Sequence, residues 1–491
     1  MTGKRFDRGR IEILGASLDA QFGTLAGFGR DPGAGVGAGA SPIEFVRAPG
    51  MVNLMGDHMD YNDGFVLPAA VELETWIAFR RRTDGRVRVA WRTSSGVGSF
   101  WINELDPDRE PRGGEFVRGT EASFGGGIAS GRAGGIASGR GGGATAPGRA
   151  GGATAPGRAR GATAPGWSDY VAATAWSLRE AALPIRGFDG FIDSTIPAGA
   201  GFSWSAAMEL AAAMALLGGV SPSSPALAAL AQRGERDYLG IDCGIVDQFV
   251  GAGGREGRAL ILDCRSLDAR YVPLPFGIRL VICDTGDGEG SWASTRPAAT
   301  HRGAGAGPAA AGPAGARPGN STYDTRRAEC ARAIALISER MPGLCSMRDL
   351  DAGALRRHRA LLPENVARRA EHVVSENARV VATAAALEAG DLDELGRLFA
   401  ESHASLRDCY EVSSPALDAM VEVASAIPGV VASRMTGPGP GGCTVNLVLA
   451  DAVPALQAAV DREYARRTGL NGRVYPVDVV DGAGRLNLAD G

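Results

Sequence analysis

Hydrophobic residues recur with helical spacing in some stretches of this chain of 491 residues and with strand-like spacing in others. An apolar run rich in alanine, leucine and methionine at 203–217, and the periodicity of 366–406, predict helices. Alternating polar and apolar positions at 87–91 predict a strand. Further predicted strands are 187–193, 259–267 and 473–481, and further predicted helices are 11–22 and 456–468. Taken alone, this pattern indicates a protein of α/β type.

Two long stretches have no such pattern. Residues 119–166 repeat GGATAPGRA almost unchanged after a doubled IASGR, and residues 296–319 are similarly rich in glycine, alanine and proline. Such sequences bury too little apolar surface to offset the entropy lost on ordering. We therefore predict disordered insertions at both places and a surface loop at 29–41.

Composition and charge exclude several classes of function. A formal net charge of −4 leaves no basic surface for nucleic acid. The seven cysteines are scattered and lack CxxC spacing, which argues for a reducing compartment and against disulfides or a zinc site. The charged first residues do not form a signal peptide, and the apolar runs are too short to span a bilayer. We expect a monomeric cytoplasmic protein with small-molecule partners that binds neither nucleic acid nor a membrane.

The stretch 195–217 combines a glycine-rich turn with the start of a helix. Pro197, Gly199 and Gly201 mark a loop whose backbone can approach a ligand closely, and a helix that begins at about Ser203 directs free N–H groups at that ligand. This arrangement predicts an anion site, most often for phosphate. It is neither a Walker loop, since no Gly-Lys-Ser/Thr follows, nor a GxGxxG motif. By itself it is equally typical of a plain turn before a helix.

Short polar side chains are concentrated between two apolar runs at 57–63. They offer several hydrogen-bond donors and acceptors to a polyhydroxylated ligand, and a solvated turn is the alternative. Farther along the chain, Asp247 stands between Val246 and Gln248 in an apolar setting. Because burial of an unpaired carboxylate is costly, this position favours a catalytic role.

Four motifs carry a resemblance to a known family. APGMVNLMGDHMDYNDGFVLP at 48–68 resembles the galactokinase signature, in which APG and Arg are followed by VNLIGEHTDYN and GFVLP. PAGAGFSWSA at 197–206 resembles the PxGxGLSSSA motif of the GHMP kinases, which include galactokinases, homoserine kinases and mevalonate kinases. CGIVDQ at 243–248 resembles CGIMDQ, and SRMTGPGPGGC at 433–443 resembles SRMTGAGFGGC. The motifs stand in family order, and the resemblance covers nearly the whole chain outside the predicted insertions.

The resemblance implies an α+β fold of two domains, with the active site in the cleft between them. A mixed-sheet N-terminal domain is expected at 1–245 and a C-terminal domain of sheet plus helices at 246–491. The implied reaction transfers the γ-phosphate of ATP, with Mg²⁺, to the anomeric hydroxyl of galactose and gives galactose 1-phosphate. Asp247 would orient this hydroxyl and accept its proton.

The resemblance also assigns the other residues of the site. The expected sugar contacts are Asp57, His58, Asp60, Gly244, Asp247 and Tyr323. The expected ATP site comprises Trp167, Tyr170, Pro197, Gly199, Ala200, Gly201, Ser203 and Ser205. Mg²⁺ is expected at Ser205 and Glu235.

Several positions depart from the family pattern. Met51 stands where the family has an Arg beside the catalytic Asp, so a cation that holds the Asp ionised and offsets charge on the phosphoryl group is lost. Trp204 replaces the middle Ser of the Ser-rich motif, and Asp57 replaces a longer Glu. Pro438 and Pro440 remove two N–H donors from the last glycine-rich motif. Two alternatives therefore stay open: a kinase for a related sugar, or a catalytically impaired sugar- and ATP-binding regulatory protein.

Overall fold

The fold is described from a computed structural model of the protein. It describes residues 8–22, 42–94, 96–107, 117–118, 166–197, 201–219, 222–287 and 322–486. The loop predicted at 29–41 and the insertion predicted at 296–319 lie outside these residues, as does the insertion predicted at 119–166 apart from Gly166.

Two sheets are formed by the described strands. The strands are β1 Glu44–Met55, β2 Phe65–Arg81, β3 Arg86–Trp91, β4 Gly96–Trp101, β5 Val117–Arg118, β6 Phe188–Ser194, β7 Arg258–Asp263, β8 Ala269–Pro273, β9 Ile278–Asp284, β10 Val430–Thr436, β11 Cys443–Leu449, β12 Arg473–Val477 and β13 Gly484–Arg485. The larger sheet has the order β13-β1-β2-β6-β3-β4-β5, and β7 joins it through the start of β2 and pairs with β8. β3 and β6 run parallel whereas the neighbouring pairs are antiparallel, so this sheet is mixed, as predicted.

The smaller sheet is antiparallel, with the order β10-β11-β9-β12. The described helices are α1 Arg8–Phe22, α2 Trp167–Glu180, α3 Trp204–Leu216, α4 Ser224–Arg233, α5 Val246–Gly253, α6 Thr322–Ser338, α7 Ala352–His358, α8 Glu364–Ala389, α9 Leu392–Ser405, α10 Pro415–Ser425, α11 Val453–Ala459 and α12 Ala465–Thr468. α9 and α10 pack against β10, and α8 packs against α9. Among the described helices, none has the length and apolar character needed to cross a bilayer.

Two predicted strands are shorter in the structure, each for a local reason. β7 ends at Asp263 because its side-chain Oδ1 accepts the N–H groups of Arg265 at 2.9 Å and Ser266 at 3.2 Å, which turns the chain. β12 ends at Val477 because the chain then crosses to the larger sheet, where Val479 forms a bridge with Val71. The helical stretch at 366–406 is divided at Gly390, which adopts a left-handed φ of 67°.

A continuous hydrophobic core includes side chains of both sheets and of the helices that cover them. The predicted division of the chain at residue 245 stays a prediction, and β7, β8 and β13, which follow it, complete the larger sheet. The close approach of β1 to the loop before α3 positions the site. A Cβ atom at Gly50 would lie 2.6 Å from the carbonyl oxygen of Phe202, so only glycine allows these two segments to lie so close.

Candidate active site

The loop that leads from β6 into α3 ends beside β1. Gly201 and Ser203 both adopt left-handed φ values, 79° and 57°, and α3 begins at the next residue, Trp204. The N–H of Met51 in β1 donates to the carbonyl oxygen of Phe202 at 3.4 Å, which fixes the loop against the sheet. The start of α3 therefore has the free N–H groups and positive dipole end that an anion site needs. Pro197 and Gly201 border this loop, whereas Gly199 and Ala200 lie outside the described residues.

Asp247 lies in the first turn of α5 and accepts a hydrogen bond from the side chain of Ser203. Desolvation by burial raises the pKa of Asp247 to about 6, and the hydrogen bond from Ser203 opposes this effect. The nearby charges of Glu235, Asp60 and Asp57 raise the pKa further. A carboxyl group that titrates close to neutrality beside an anion site has the properties of a general base.

Ser205 and Glu235 are brought together at the start of α3. Ser205 lies in the first turn of α3, and Glu235 lies in a π-helical turn, Gly234–Tyr238. The side chain of Glu235 accepts a hydrogen bond from the Ser205 hydroxyl. The Gln248 side chain bridges Glu235 at 2.9 Å and the buried Glu209 at 3.2 Å. Burial raises the pKa of both glutamates.

The described residues contain no group of three or more potential metal-ligating side chains. Mg²⁺ commonly binds through one or two carboxylates together with water and substrate phosphates, so it does not need such a group. Glu235 is 5% exposed and its carboxylate has a hydroxyl beside it at the anion site. The donor set of Ser205 and Glu235 therefore fits Mg²⁺ bound to a phosphate ligand.

The residues predicted to hold a sugar also converge. The Tyr323 hydroxyl, at the start of α6, donates to Asp60 Oδ2 at 3.2 Å. A Cβ atom at Gly244 would collide with the Asp60 carboxylate, so this glycine packs directly against it. His58 stands beside them, with ring centroids 5.8 Å apart between His58 and Tyr323. These four residues thus form one polar cluster. The cluster lies near Asp247, because the charge of Asp60 contributes to the raised pKa of Asp247.

A hydrogen-bonded chain extends from His58 into the smaller sheet's helical layer. His58 Nδ1 is 3.0 Å from the Tyr61 hydroxyl, which lies 2.6 Å from the Tyr410 hydroxyl. Burial lowers the pKa of His58 to about 3, so its imidazole is neutral near pH 7. Sequence reasoning missed Tyr410, because it lies 349 residues from Tyr61 and no spacing connects them.

Asp57 is held by one segment from the C-terminal half, which comprises the end of β10 and the residue that follows it. Its Oδ2 pairs with the fully buried Arg434, and its Oδ1 accepts the N–H of Gly437 at 2.9 Å. Burial raises the pKa of Asp57, and the Arg434 charge opposes that rise. Both carboxylate oxygens thus bind the protein itself in this structure.

The indole of Trp204 packs into a cluster of aromatic side chains. It stacks on Trp91, with ring centroids 5.1 Å apart and planes within 10°, and meets Tyr170 nearly edge-on at 5.6 Å. Trp167 meets Trp91 edge-on at 5.8 Å. Trp204 is only 7% exposed, so the side chain that replaces the usual serine is part of the core.

Arg47, the basic residue four positions before Met51, is bound elsewhere. Its Nη1 lies 2.5 Å from Glu74 Oε1 and 3.2 Å from the carbonyl oxygen of Asp481. This ion pair occupies the guanidinium, so Arg47 does not replace the arginine that the family carries at position 51.

The two-sheet fold, with an anion site at the start of α3 and a carboxyl group of raised pKa beside it, is that of the GHMP kinases. Models of the GHMP kinase N-terminal and C-terminal domains match residues 169–255 and 383–466. The galactokinase galactose-binding signature matches residues 37–81.

Comparison with individual proteins narrows the class. The chain is 37% identical over 448 residues to a galactokinase of Chloroflexus aurantiacus. The aligned residues are 91% of this chain and 94% of that protein. It is 35% identical over 462 residues to a human galactokinase, and the aligned residues are 92% of this chain and 94% of the human protein. The crystal structure of Lactococcus lactis galactokinase complexed with galactose has a TM-score of 0.72 at 27% identity and covers 97% of this chain and all of that one. The chain belongs to the galactokinase family, and the predicted two-domain α+β fold is confirmed.

Proposed function

We propose that this protein is an ATP-dependent kinase that phosphorylates the anomeric hydroxyl of galactose. The observation that carries the proposal is the position of Asp247. It accepts a hydrogen bond from Ser203 at the anion site, and burial raises its pKa, to which the nearby charge of Asp60 in the polar cluster adds. A base between a site for phosphate and a site for a polyol has the arrangement that phosphoryl transfer to a hydroxyl requires.

Different residues of this chain bind the sugar and accept the proton. Asp60, His58 and Tyr323 hold the sugar hydroxyls, with Gly244 leaving room beside Asp60. Asp247 orients the anomeric hydroxyl and takes its proton as that oxygen forms a bond to the γ-phosphorus. The bond between the γ-phosphorus and the β–γ bridging oxygen breaks, and ADP leaves with that oxygen. The pKa of about 6 leaves Asp247 ionised and able to accept the proton at neutral pH.

The phosphates and the base of the nucleotide are bound by different parts of the protein. The backbone N–H groups at the start of α3, together with Pro197, Gly201 and Ser203, are proposed to bind the phosphates, and Gly199 and Ala200 share this assignment by family resemblance alone. Trp167 and Tyr170, one turn apart on α2, are proposed to lie beside the adenine. Ser205 and Glu235 would hold Mg²⁺, which when bound offsets the charge of the β- and γ-phosphates.

We further propose that the protein acts as a monomer in the cytoplasm. All seven cysteines are free thiols, which is typical of a reducing compartment. Light scattering of the purified protein would test the monomer, and a mass of twice 50.5 kDa would contradict it.

A coupled assay of ADP release tests the function. The purified protein is given ATP, Mg²⁺ and, in turn, galactose, glucose, N-acetylgalactosamine and arabinose. We expect turnover with galactose at a kcat/KM well above that for the other sugars. Preference for another sugar would favour the related-sugar alternative, and galactose binding without turnover would favour the impaired regulatory protein, which similarity to galactokinases over nine-tenths of the chain does not favour.

A further inference from the structure

The loop that carries the sugar residues is held at both ends by one helix. We call residues 56–65, between β1 and the first residue of β2, the sugar loop. At one end, the N–H of Gly56 donates to Glu376 Oε1 at 3.1 Å. At the other end, the N–H of Phe65 donates to Asn377 Oδ1 at 2.9 Å. Glu376 and Asn377 are consecutive residues of α8, more than 300 residues away in the chain.

Both ends of the sugar loop also pack closely against α8. A Cβ atom at Gly56 would lie 2.8 Å from Val380 Cγ2, and a Cβ atom at Gly64 would lie 3.1 Å from Asn377 Oδ1. Gly56 also has a left-handed φ of 96°, which strains other residues. Glycine at each end therefore lets the backbone come within hydrogen-bonding distance of the helix.

Glu376 is itself fixed in place. Its Oε1 also accepts the Ser402 hydroxyl of α9 at 2.8 Å, and its Oε2 pairs with Arg379 at 2.8 Å. Burial opposes ionisation, but the nearby positive charges, including Arg434 and Arg379, lower the pKa of Glu376 to about 2. An ionised, fully buried carboxylate accepts the Gly56 N–H in a charge-assisted hydrogen bond.

Other segments also hold the sugar loop: Asp57 binds Arg434 and the N–H of Gly437, and the N–H of Cys264 donates to the carbonyl oxygen of Gly64 at 3.0 Å. The backbone bonds that join two residues of the loop are short-range: Met59 donates to Gly56 at 3.2 Å, Asn62 to Met59 at 3.1 Å, and Gly64 to Met59 at 2.9 Å. These internal bonds shape the turn, and the hydrogen bond that the Tyr323 hydroxyl on α6 donates to Asp60 ties the Asp60 side chain to that helix. The anchors on α8 add a hydrogen bond to the backbone at each end of the loop, and so help to fix the residues between them.

We propose that Glu376 and Asn377 are positioning residues that fix the sugar loop on α8 and thereby place His58 and Asp60 for sugar binding. The inference deepens the proposed function and rests on it. Neither residue touches the reacting groups. Their effect should therefore appear in sugar affinity, and much less in ATP affinity or in the chemical step.

Asn377→Ala is the most direct variant because Asn377 is only partly buried and its removal leaves the charged network around Glu376 intact. We expect the KM for galactose to rise about three- to tenfold, as loss of one hydrogen bond predicts. The KM for ATP should stay within twofold. Asn377→Asp keeps an acceptor for the Phe65 N–H and should restore most of the sugar affinity.

Asn365→Ala is the matched control. Asn365 lies on the same helix about three turns earlier, is exposed, and donates to Glu329 Oε1 at 2.9 Å. It removes an asparagine side-chain hydrogen bond from α8 without touching the sugar loop, and we expect both KM values to stay within twofold of the wild type. Equal rises in the galactose KM of the Asn365 and Asn377 variants would overturn the proposal.

Hydrogen exchange of the peptide that spans the sugar loop gives a readout without turnover. It should be faster in Asn377→Ala than in the wild type and unchanged in Asn365→Ala. Unchanged exchange in Asn377→Ala, or equal losses of sugar and ATP affinity, would overturn the proposal. If the wild type phosphorylates no sugar, the proposed function fails, whereas the exchange measurement still decides whether Asn377 anchors the loop.

Discussion

Met51→Arg should reveal how much a cation at position 51 contributes. The backbone of Met51 bonds Phe202, the residue before Ser203, and Ser203 bonds Asp247, so the position adjoins both the base and the anion site. An arginine there has two effects. It offsets charge that develops on the transferred phosphoryl group, worth about 1.4–4 kcal/mol and so a ten- to thousandfold rise in kcat. It also lowers the pKa of Asp247, by about one to three units for a cation within 4–6 Å.

The pH dependence separates the two effects. With a pKa of about 6, Asp247 is about nine-tenths ionised at pH 7 and about one-tenth ionised at pH 5. Because the ionised carboxylate is the base, wild-type activity should fall as the pH falls through about 6. At pH 7 the wild-type Asp247 is already mostly ionised, so its lower pKa in the Arg variant adds almost nothing to the rise in kcat. At pH 5 the lower pKa adds up to about tenfold to that rise.

The assay is the pH profile of kcat and kcat/KM between pH 5 and pH 8 for the wild type, Met51→Arg and Met51→Gln. The glutamine variant is the control for polarity without charge, and its acidic limb should coincide with that of the wild type. The KM for galactose should change little in Met51→Arg, because the cation acts mainly on the transition state. An Arg variant with an unchanged acidic limb and an unchanged kcat at pH 7 would refute the reasoning. A wild type with its acidic limb near pH 4 would refute the assigned pKa.

Three other substitutions or deletions test separate parts of the structure. Asp247→Asn should lower kcat at least about a hundredfold while calorimetry shows galactose affinity within a few-fold, and a variant that keeps most of its activity would remove Asp247 from the mechanism. Trp204→Ser should lower the free energy of unfolding by about 3–5 kcal/mol in urea titrations, because it empties a buried position between Trp91 and Tyr170; a loss below 1 kcal/mol would contradict the packing. Deletion of 125–165, which lies outside the described residues, should leave the Tm and galactose affinity within error, since that stretch has no apolar pattern to bury.

The sequence predicted those parts of the site that lie within motifs. The loop before α3, Asp247 and the cluster at 57–63 were each identified from short stretches, and the structure brings these stretches together. The anchors that hold them were not predicted. Asn377 and Arg434 act on the sugar loop from more than 300 residues away. Asn377 lies in a segment with the pattern of an ordinary helix, and the motif that contains Arg434 does not indicate that this residue pairs with Asp57. Pairings at such separation leave no local periodicity to detect.

Packing of the substituted tryptophan also required the structure. The sequence showed that Trp204 replaces a serine, but not that Trp91, on a strand 113 residues earlier, would stack against it. The residue at which β12 ends could not be predicted from the sequence either. The apolar pattern of this strand continues past Val477, and only the bridge between Val479 and Val71 shows that the chain has moved to the other sheet.

The central claim is that this chain phosphorylates the anomeric hydroxyl of galactose with Asp247 as the base. ³¹P and ¹H NMR of a reaction with galactose, ATP and Mg²⁺ tests it most directly, because it identifies both the product and the position of the new phosphate. The account predicts a phosphomonoester signal coupled to the anomeric proton of galactose, formed by the wild type and absent with Asp247→Asn. A phosphate on another hydroxyl, or the same product formed as fast by Asp247→Asn, would contradict it.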